Sequence, residues 1–277
     1  MGIDAGALTP LEATALLTVY ARALDSRWAH PILGDVRADE VVGKIDYDFN
    51  GLGVGSSVVC QTALRAKMLD DRVRRFVKQY PDGVVVDLGA GLDSGVYRVD
   101  PPPTVDWYSV DLPDVTALRD AVLPARDGSH SVAASLADGH LPDSIPADRP
   151  TMLIADGLLA FLSEDVIIQL FGRVTDHFCR GEVAFNDYGR IGWFSRLAVR
   201  LSPRKMFKDV GSQWGYPGFK DAHHPETWNP RLELVEEASL AHQPEVDLFP
   251  GWIRVATQLS GMCRAAARKA RILRYAF

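Results

Sequence analysis

The sequence predicts an α/β fold built on a mostly parallel sheet, and three observations carry that prediction. Short apolar runs recur at residues 84–88, 105–110, 132–134, 152–155 and 183–185, each bounded by Gly, Pro or Asp. Helical patterns such as residues 163–178 fill the gaps, which is the arrangement of parallel strands buried on both faces. Several runs close on an acid, at Asp87, Asp111, Asp156 and Asp187. Ligands of open α/β sheets bind at the carboxyl ends of the strands, so these acids fall where function is expected.

Residues 1–80 read as a helical section ahead of the sheet. From Leu8 to Leu24 apolar residues recur at helical spacing. Thr9-Pro10-Leu11-Glu12 supplies the start signal, with Thr9 as N-cap, Pro10 at the first helical position and Glu12 at the third. Gly51, Gly53 and Gly55 break the pattern, and a second long helix is expected over residues 56–79, ended by the turn cluster Tyr80-Pro81-Asp82-Gly83. Its apolar stripe runs through Thr62, Ala66, Leu69, Val73 and Phe76, with Lys67, Arg74, Arg75 and Lys78 opposite. Arg65 falls inside the stripe. An arginine drawn toward the core needs an anion, either a protein carboxylate or a ligand carboxylate.

Beyond the parallel section, residues 189–229 lose periodicity in an aromatic, Gly-rich stretch too long for a simple connection, the texture of a lid or binding segment. Trp193, Phe194, Phe207, Trp214, Tyr216 and Phe219 within it suit either the wall of an apolar substrate pocket or the insertion's own small core. A strand over 232–240, a helix over 250–271 and a short strand over 273–277 would close the sheet with an antiparallel edge. The basic run Arg264, Arg268, Lys269, Arg271 and Arg274 lies at helical spacing and reads as a solvated helix face.

Composition narrows the class. The chain has 277 residues, 47% hydrophobic and 24% charged, enough for one large domain or two small ones. Thirty basic against thirty-six acidic side chains give a formal charge of −6, the wrong sign for a partner of phosphate backbones, so no nucleic acid is expected. No stretch approaches the roughly 20 apolar residues of a membrane span, and the start shows neither a signal peptide nor a myristoylation pattern; a cytoplasmic protein is expected. Cys60, Cys179 and Cys263 are odd in number and far apart, which supports neither a disulfide framework nor a thiolate metal site.

The most specific local signal is the run from Val84 to Gly95, in which a strand ends in Asp87-Leu88-Gly89-Ala90-Gly91. An Asp-x-Gly-x-Gly turn lets the backbone approach a bound nucleoside, because a β-carbon at Gly89 or Gly91 would occupy that space. The dinucleotide version of this turn needs a third glycine, and Ser94 holds that position, which turns the reading away from NAD. Asp111 follows Gly89 by 22 residues and ends the next strand, close to the spacing of about 20 for a carboxylate that accepts from ribose hydroxyls. Asp138, in the loop after the following strand, can accept from an adenine amino group or serve as a turn residue.

These residues, in this order, resemble the leucine carboxyl methyltransferase superfamily, and within it the polyketide-type O-methyltransferases similar to the tetracenomycin enzyme. The resemblance runs through Tyr20-Ala21-Arg22-Ala23-Leu24, Ile45-Asp46-Tyr47-Asp48-Phe49, Leu88 to Asp93, Trp107 to Pro113, Ala155 to Leu159, and the closing Leu273-Arg274-Tyr275-Ala276-Phe277. It implies a class I methyltransferase fold: a Rossmann-like seven-stranded sheet with an N-terminal helical roof over residues 1–80. The S-adenosylmethionine (SAM) domain would then span 81–277, with a lid insertion at about 189–229. It also implies SAM as cofactor. By matching position, Arg65 resembles the residue that grips the cofactor carboxylate, Gly89 and Gly91 the cofactor turn that Asp87 opens, Asp111 the ribose acid, Asp138 the adenine neighbour and Asp156 the acid near the methionine moiety. The chain departs from the family at Ser94-Gly95, where Thr-Arg is common, at Asp156, where Glu is usual, and at Phe161, where Tyr is frequent. The tryptophan common shortly after the position of Asp138 is missing from residues 139–143.

The implied reaction is methyl transfer to a small-molecule acceptor, a polyketide-like carboxylate or hydroxyl. A carboxylate needs no base, whereas a hydroxyl does. The candidates for a base are His223, His224, Tyr188 and His30, with His223-His224 flanked by Asp221 and Glu226 in the insertion. Two further readings stand beside this one: an enzyme of the same fold catalysing a non-methylating reaction such as a cyclisation, and a non-catalytic nucleoside-binding module. A homodimer is left open.

Overall fold

The computed structural model describes residues 2–5, 8–137, 141–189, 214–216 and 218–277. The apolar runs become strands of one seven-stranded sheet: β1 Val84–Leu88, β2 Asp106–Asp111, β3 Ser129–Ala133, β4 Thr151–Ala155, β5 Gly181–Asp187, β6 Glu233–Ser239 and β7 Arg271–Ala276. Their spatial order is β3-β2-β1-β4-β5-β7-β6. Strands β1 to β5 are parallel, while β7 pairs antiparallel with both β5 and β6, so the expected antiparallel edge is present. The chain runs outward from β1 to β3 and then returns to β4, which places a topological switch point between β1 and β4.

Alternation along β1 explains its continuous apolar run. Val84, Val86 and Leu88 pack with Ile167, Leu170 and Phe171 of α6 (Glu164–His177). Val85 faces the other side with Met152 and Ile154, against Cys60, Leu64 and Met68 of α3 (Ser56–Gln79). The helix on the second face has the bounds its periodicity predicts. Strand β3 starts three residues before its apolar run; it lies at the sheet edge, and its polar Ser129-His130-Ser131 is partly exposed.

A third cluster joins α1 (Thr14–Ser26), α2 (Val36–Lys44) and α5 (Pro113–Val122) through Leu16, Val19, Val41, Leu118 and Val122, and it takes in Leu92 from the glycine turn. The capping box ahead of α1 forms. The Thr9 amide and hydroxyl both donate to Glu12 Oε2 at 2.7 Å, and the Glu12 amide points back at Thr9 Oγ1 at 3.4 Å. Regular helix begins one turn later, at Thr14. No helix among the described residues is long and apolar enough to cross a membrane.

Two expectations about the end of the chain are corrected. The helix over 250–271 is shorter: α8 covers Gly251–Met262, a single helical turn follows, and Arg271 opens β7. The basic run is therefore not one solvated face. Arg274 pairs with Glu182 and Glu236 across the sheet. Arg271 is buried and donates to Asp187 Oδ2 at 2.8 Å, Glu237 Oε1 at 2.6 Å and the Phe219 carbonyl at 2.8 Å. Tyr216 and Phe219 of the insertion join the main core beside Phe185 and Trp228 of the short α7 (His224–Trp228), rather than forming a separate one. Trp193, Phe194 and Phe207 lie outside the described residues.

Arg271→Met should lower the free energy of unfolding by roughly 3–5 kcal/mol, because it strands the buried Asp187 carboxylate. Urea titrations of the wild type, the variant and the double variant with Asp187→Asn check this. The double variant should recover part of the loss.

Candidate active site

The glycine turn after β1 closes with left-handed backbone at Gly89 (φ +68°) and Gly91 (φ +52°), a region where a side chain is strained. The amides of Gly89 and Ala90 donate to the Val110 carbonyl of β2 at 2.8 and 3.2 Å. A β-carbon at Gly89 would lie 3.2 Å from Leu158, and one at Gly91 would lie 3.2 Å from Ala15 of α1. The space these glycines leave open is thus bounded first by protein, not by ligand alone as the sequence suggests. Ser94 is fully buried, and its hydroxyl lies 2.7 Å from both carboxylate oxygens of Asp35, the N-cap of α2.

Over this turn lies a cavity of about 380 Å³. It brings together Arg65, Asp87, Gly89, Gly91, Asp111, Asp156 and Tyr188 of the sequence candidates. Asp138 lies outside the described residues. His223 and His224 do not line the cavity; both are exposed, and His223 Nδ1 sits 2.9 Å from Glu226 Oε2 in the first turn of α7. His30 is exposed and also lies away from it. A polar loop shows in sequence, but the direction its histidines face does not.

Arg65 finds a protein carboxylate, and that carboxylate is Asp156 at the end of β4. Nε donates to Oδ1 at 2.8 Å and Nη2 to Oδ2 at 3.3 Å. The guanidinium also lies 5.4 Å from the Tyr188 ring centroid, a cation–π contact, and Tyr188 stacks on Trp214. Burial works against the charge of Arg65, but Asp156 and then Tyr188 outweigh it and hold the pKa above the ordinary arginine value. Asp111 accepts from the amides of Gly91 at 2.6 Å and Leu112 at 2.7 Å. Burial pushes its pKa up, and those two N–H groups pull against the rise.

Asp87 differs from the other acids of the cavity. It is buried, yet no side chain or amide among the described residues donates to its carboxylate. Burial, and then the neighbouring Asp93, push its pKa up to about 8. Asp93 goes the other way: burial opposes its charge, but Arg98 and Arg22 prevail and hold it well below the usual carboxylate range.

Sequence reasoning missed the group that positions the turn. Arg98, on the short helix α4 (Gly95–Val99), donates to Asp35 at 2.7 Å, to Asp70 at 2.8 and 3.0 Å and to Asp93 at 2.8 and 3.1 Å. Arg119 donates to the carbonyls of Gly91 and Asp93 at 3.1 and 2.6 Å. Arg22 stands 3.4 Å from Asp93 and 3.6 Å from Asp35, its Nε and Nη2 making no hydrogen bond. Arg22 interrupts the apolar face of α1 as Arg65 interrupts that of α3, and that was the available signal. Gly95 also has a structural reason. A β-carbon there would lie 3.2 Å from the buried Trp107 indole and 2.8 Å from Asp93.

The chain is similar to known methyltransferases. The family model described as leucine carboxyl methyltransferase matches residues 13–175. The tetracenomycin polyketide synthesis O-methyltransferase TcmP of Streptomyces glaucescens is 34% identical over 273 residues, covering 98% of each chain. An S-adenosyl-L-methionine-dependent methyltransferase of Gibberella zeae, dpfgK, is 28% identical over 85% of this chain and 84% of its own. Among solved structures, a proposed methyltransferase from Thermobifida fusca shares the fold at a TM-score of 0.54 and 17% identity, covering 92% of this chain and 93% of its own. The chain belongs to the leucine carboxyl methyltransferase family. It is a methyltransferase with the class I fold that the resemblance implies.

Arg65→Met should destabilise the ligand-free protein by about 2 kcal/mol, less than the ~3–5 of a fully buried pair because Asp156 is partly exposed. Thermal midpoints without ligand check this, and adding Asp156→Leu should restore most of the loss. Asp87 predicts a pH effect. An acid whose pKa rises on folding loses stability as pH climbs from its ordinary 3.8 to about 8. Asp87→Asn removes that loss, so wild type should fall steadily behind the variant between pH 5 and 8 in ligand-free urea titrations. Parallel curves would mean that Asp87 is ionised throughout.

Proposed function

We propose that this chain is a SAM-dependent O-methyltransferase whose acceptor is a small aromatic carboxylic acid of polyketide type. The observation that carries the reading is that one cavity is lined both by acids and glycines suited to SAM and by the apolar or aromatic side chains Leu11, Phe161, Leu162, Tyr188 and Trp214. Donor and acceptor would share a single space from which water is excluded. The polyketide character of the acceptor follows the name of the tetracenomycin relative.

The residues present fit the cofactor. Asp87 opens on the cavity with no protein donor among the described residues, and Asp111 keeps lone pairs free beyond its two amide bonds. Asp111 would accept from the ribose hydroxyls. Arg65 and Asp156 offer a cation and an anion side by side, complementary to the carboxylate and the ammonium of an amino acid. Asp87 would gain a cationic neighbour and ionise. When bound, SAM supplies a methyl group on a positively charged sulfur, open to in-line displacement by an oxygen nucleophile.

The carboxylate acceptor is favoured by what the cavity does not offer. Among its described lining residues there is no histidine, and the base candidate Tyr188 lies with its ring against the Arg65 guanidinium and stacked on Trp214. Glu12 is held in the α1 capping box, Asp70 and Asp93 by Arg98, and Asp156 by Arg65. Asp87 lies beneath the glycine turn, on the cofactor side. An acceptor that arrives already ionised needs no base, and positioning plus desolvation remain as the protein's tasks.

Incubation with SAM and a panel of aromatic carboxylic acids and phenols tests the reading by mass spectrometry. Methyl ester should form one-to-one with S-adenosylhomocysteine. Methyl ether alone would overturn the carboxylate, and product without S-adenosylhomocysteine would favour the cyclisation reading. In calorimetry, Asp111→Asn should weaken SAM by about 1.5–3 kcal/mol, the scale of hydrogen bonds to a charged group. NAD should not bind.

A further inference from the structure

Away from the cavity, α8 presents an apolar face with nothing against it among the described residues. Trp252, Val255, Leu259 and Met262 are 74%, 51%, 61% and 84% exposed. Their spacing of three, four and three residues is the a/d repeat by which one helix packs along another. Ile253 points the opposite way, into the core beside α3, so the stripe is the outer face of a helix anchored from behind.

The charges bear on the partner. Arg254 is the single charged residue of α8, and the positions flanking the stripe are Gly251, Ala256 and Gln258. In a two-fold contact each residue near the axis meets its own copy, so a charged flank would repel itself; these flanks are uncharged and small or neutral. A helix that lies on a membrane surface carries Lys and Arg along its polar face, which α8 lacks. At about 150–250 Å² for a fully exposed large side chain, the exposed fractions leave roughly 500–600 Å² of apolar surface per copy. Two copies would cover roughly 1,000–1,200 Å² before the flanks are counted, which reaches the lower bound of a stable interface.

We propose that α8 is a homodimer interface, formed by two-fold packing of its Trp252, Val255, Leu259 and Met262 stripe against the same stripe of a second copy. None of these residues lines the cavity, so the inference is independent of the catalytic reading. Sedimentation equilibrium of the full chain at micromolar concentration tests it, together with Leu259→Asp and Trp252→Ser, both surface substitutions. The wild type should have twice the mass of the 30.4 kDa chain. Leu259→Asp should be monomeric with an unchanged SAM affinity and a folded circular dichroism spectrum, and Trp252→Ser should raise the dimer dissociation constant at least tenfold. A monomeric wild type, or a Leu259→Asp variant that stays dimeric, overturns the proposal. A monomeric wild type that floats with phosphatidylglycerol vesicles, while Leu259→Asp does not, would make the face a membrane contact instead.

Discussion

Arg98 ties together three pieces of chain that are distant in sequence. Its guanidinium bonds Asp35 at the start of α2, Asp70 on α3 and Asp93 in the glycine turn. Burial opposes its charge, but Asp93 and Asp70 hold its pKa well above the ordinary value. Without it, the buried carboxylates of Asp35 and Asp70 and the half-buried one of Asp93 would face one another with Arg22 as the cation beside them. A buried network of this kind is costly to desolvate and is a weak source of net stability. What it does provide is geometry: the helices over the cavity, the helix beneath it and the turn between them are held in one arrangement before any ligand arrives. Groups fixed in advance need no reorganisation when a charged cofactor binds.

The cavity follows from that arrangement. With the turn held, Asp87 at the end of β1, Asp111 at the end of β2 and Asp156 at the end of β4 open on one space at the switch point of the sheet. Each acid has a different electrostatic setting. Asp156 is paired with Arg65, Asp111 is held by two amides, and Asp87 has no donor among the described residues and is pushed up to about 8. Three aspartates therefore present three different faces to a ligand, although the sequence writes them alike.

Strand ends were legible because a strand buried on both faces must be apolar throughout, so the acid that ends it stands out; β1 and β4 are clear cases. The edge strand β3 was only half legible, since one-sided exposure lets polar residues in. Arg65 was legible as a cation in an apolar stripe, but its partner lies 91 residues away on another element, and no periodicity reports such a pairing. The Arg98 network was hidden for the same reason. Asp35, Asp70 and Asp93 each look like ordinary cap, helix-surface and turn residues until the fold brings them to one guanidinium. Arg271 was misread as part of a helix face because Arg264, Arg268 and Arg271 keep helical spacing in the sequence, although the helical turn ends before the strand that Arg271 opens. Only its burial with Asp187 and Glu237 sets it apart.

We read the cavity over the glycine turn as a preset SAM site, with its ribose acid at Asp111 and its amino-acid end at the Arg65–Asp156 pair. A crystal structure of the S-adenosylhomocysteine complex puts that reading to the test. Ribose hydroxyls should lie on Asp111, the ligand's carboxylate and ammonium on Arg65 and Asp156, and the Arg98 network should be unchanged. A nucleoside bound elsewhere, or one in this cavity that leaves Asp111 and the Arg65–Asp156 pair untouched, would contradict it.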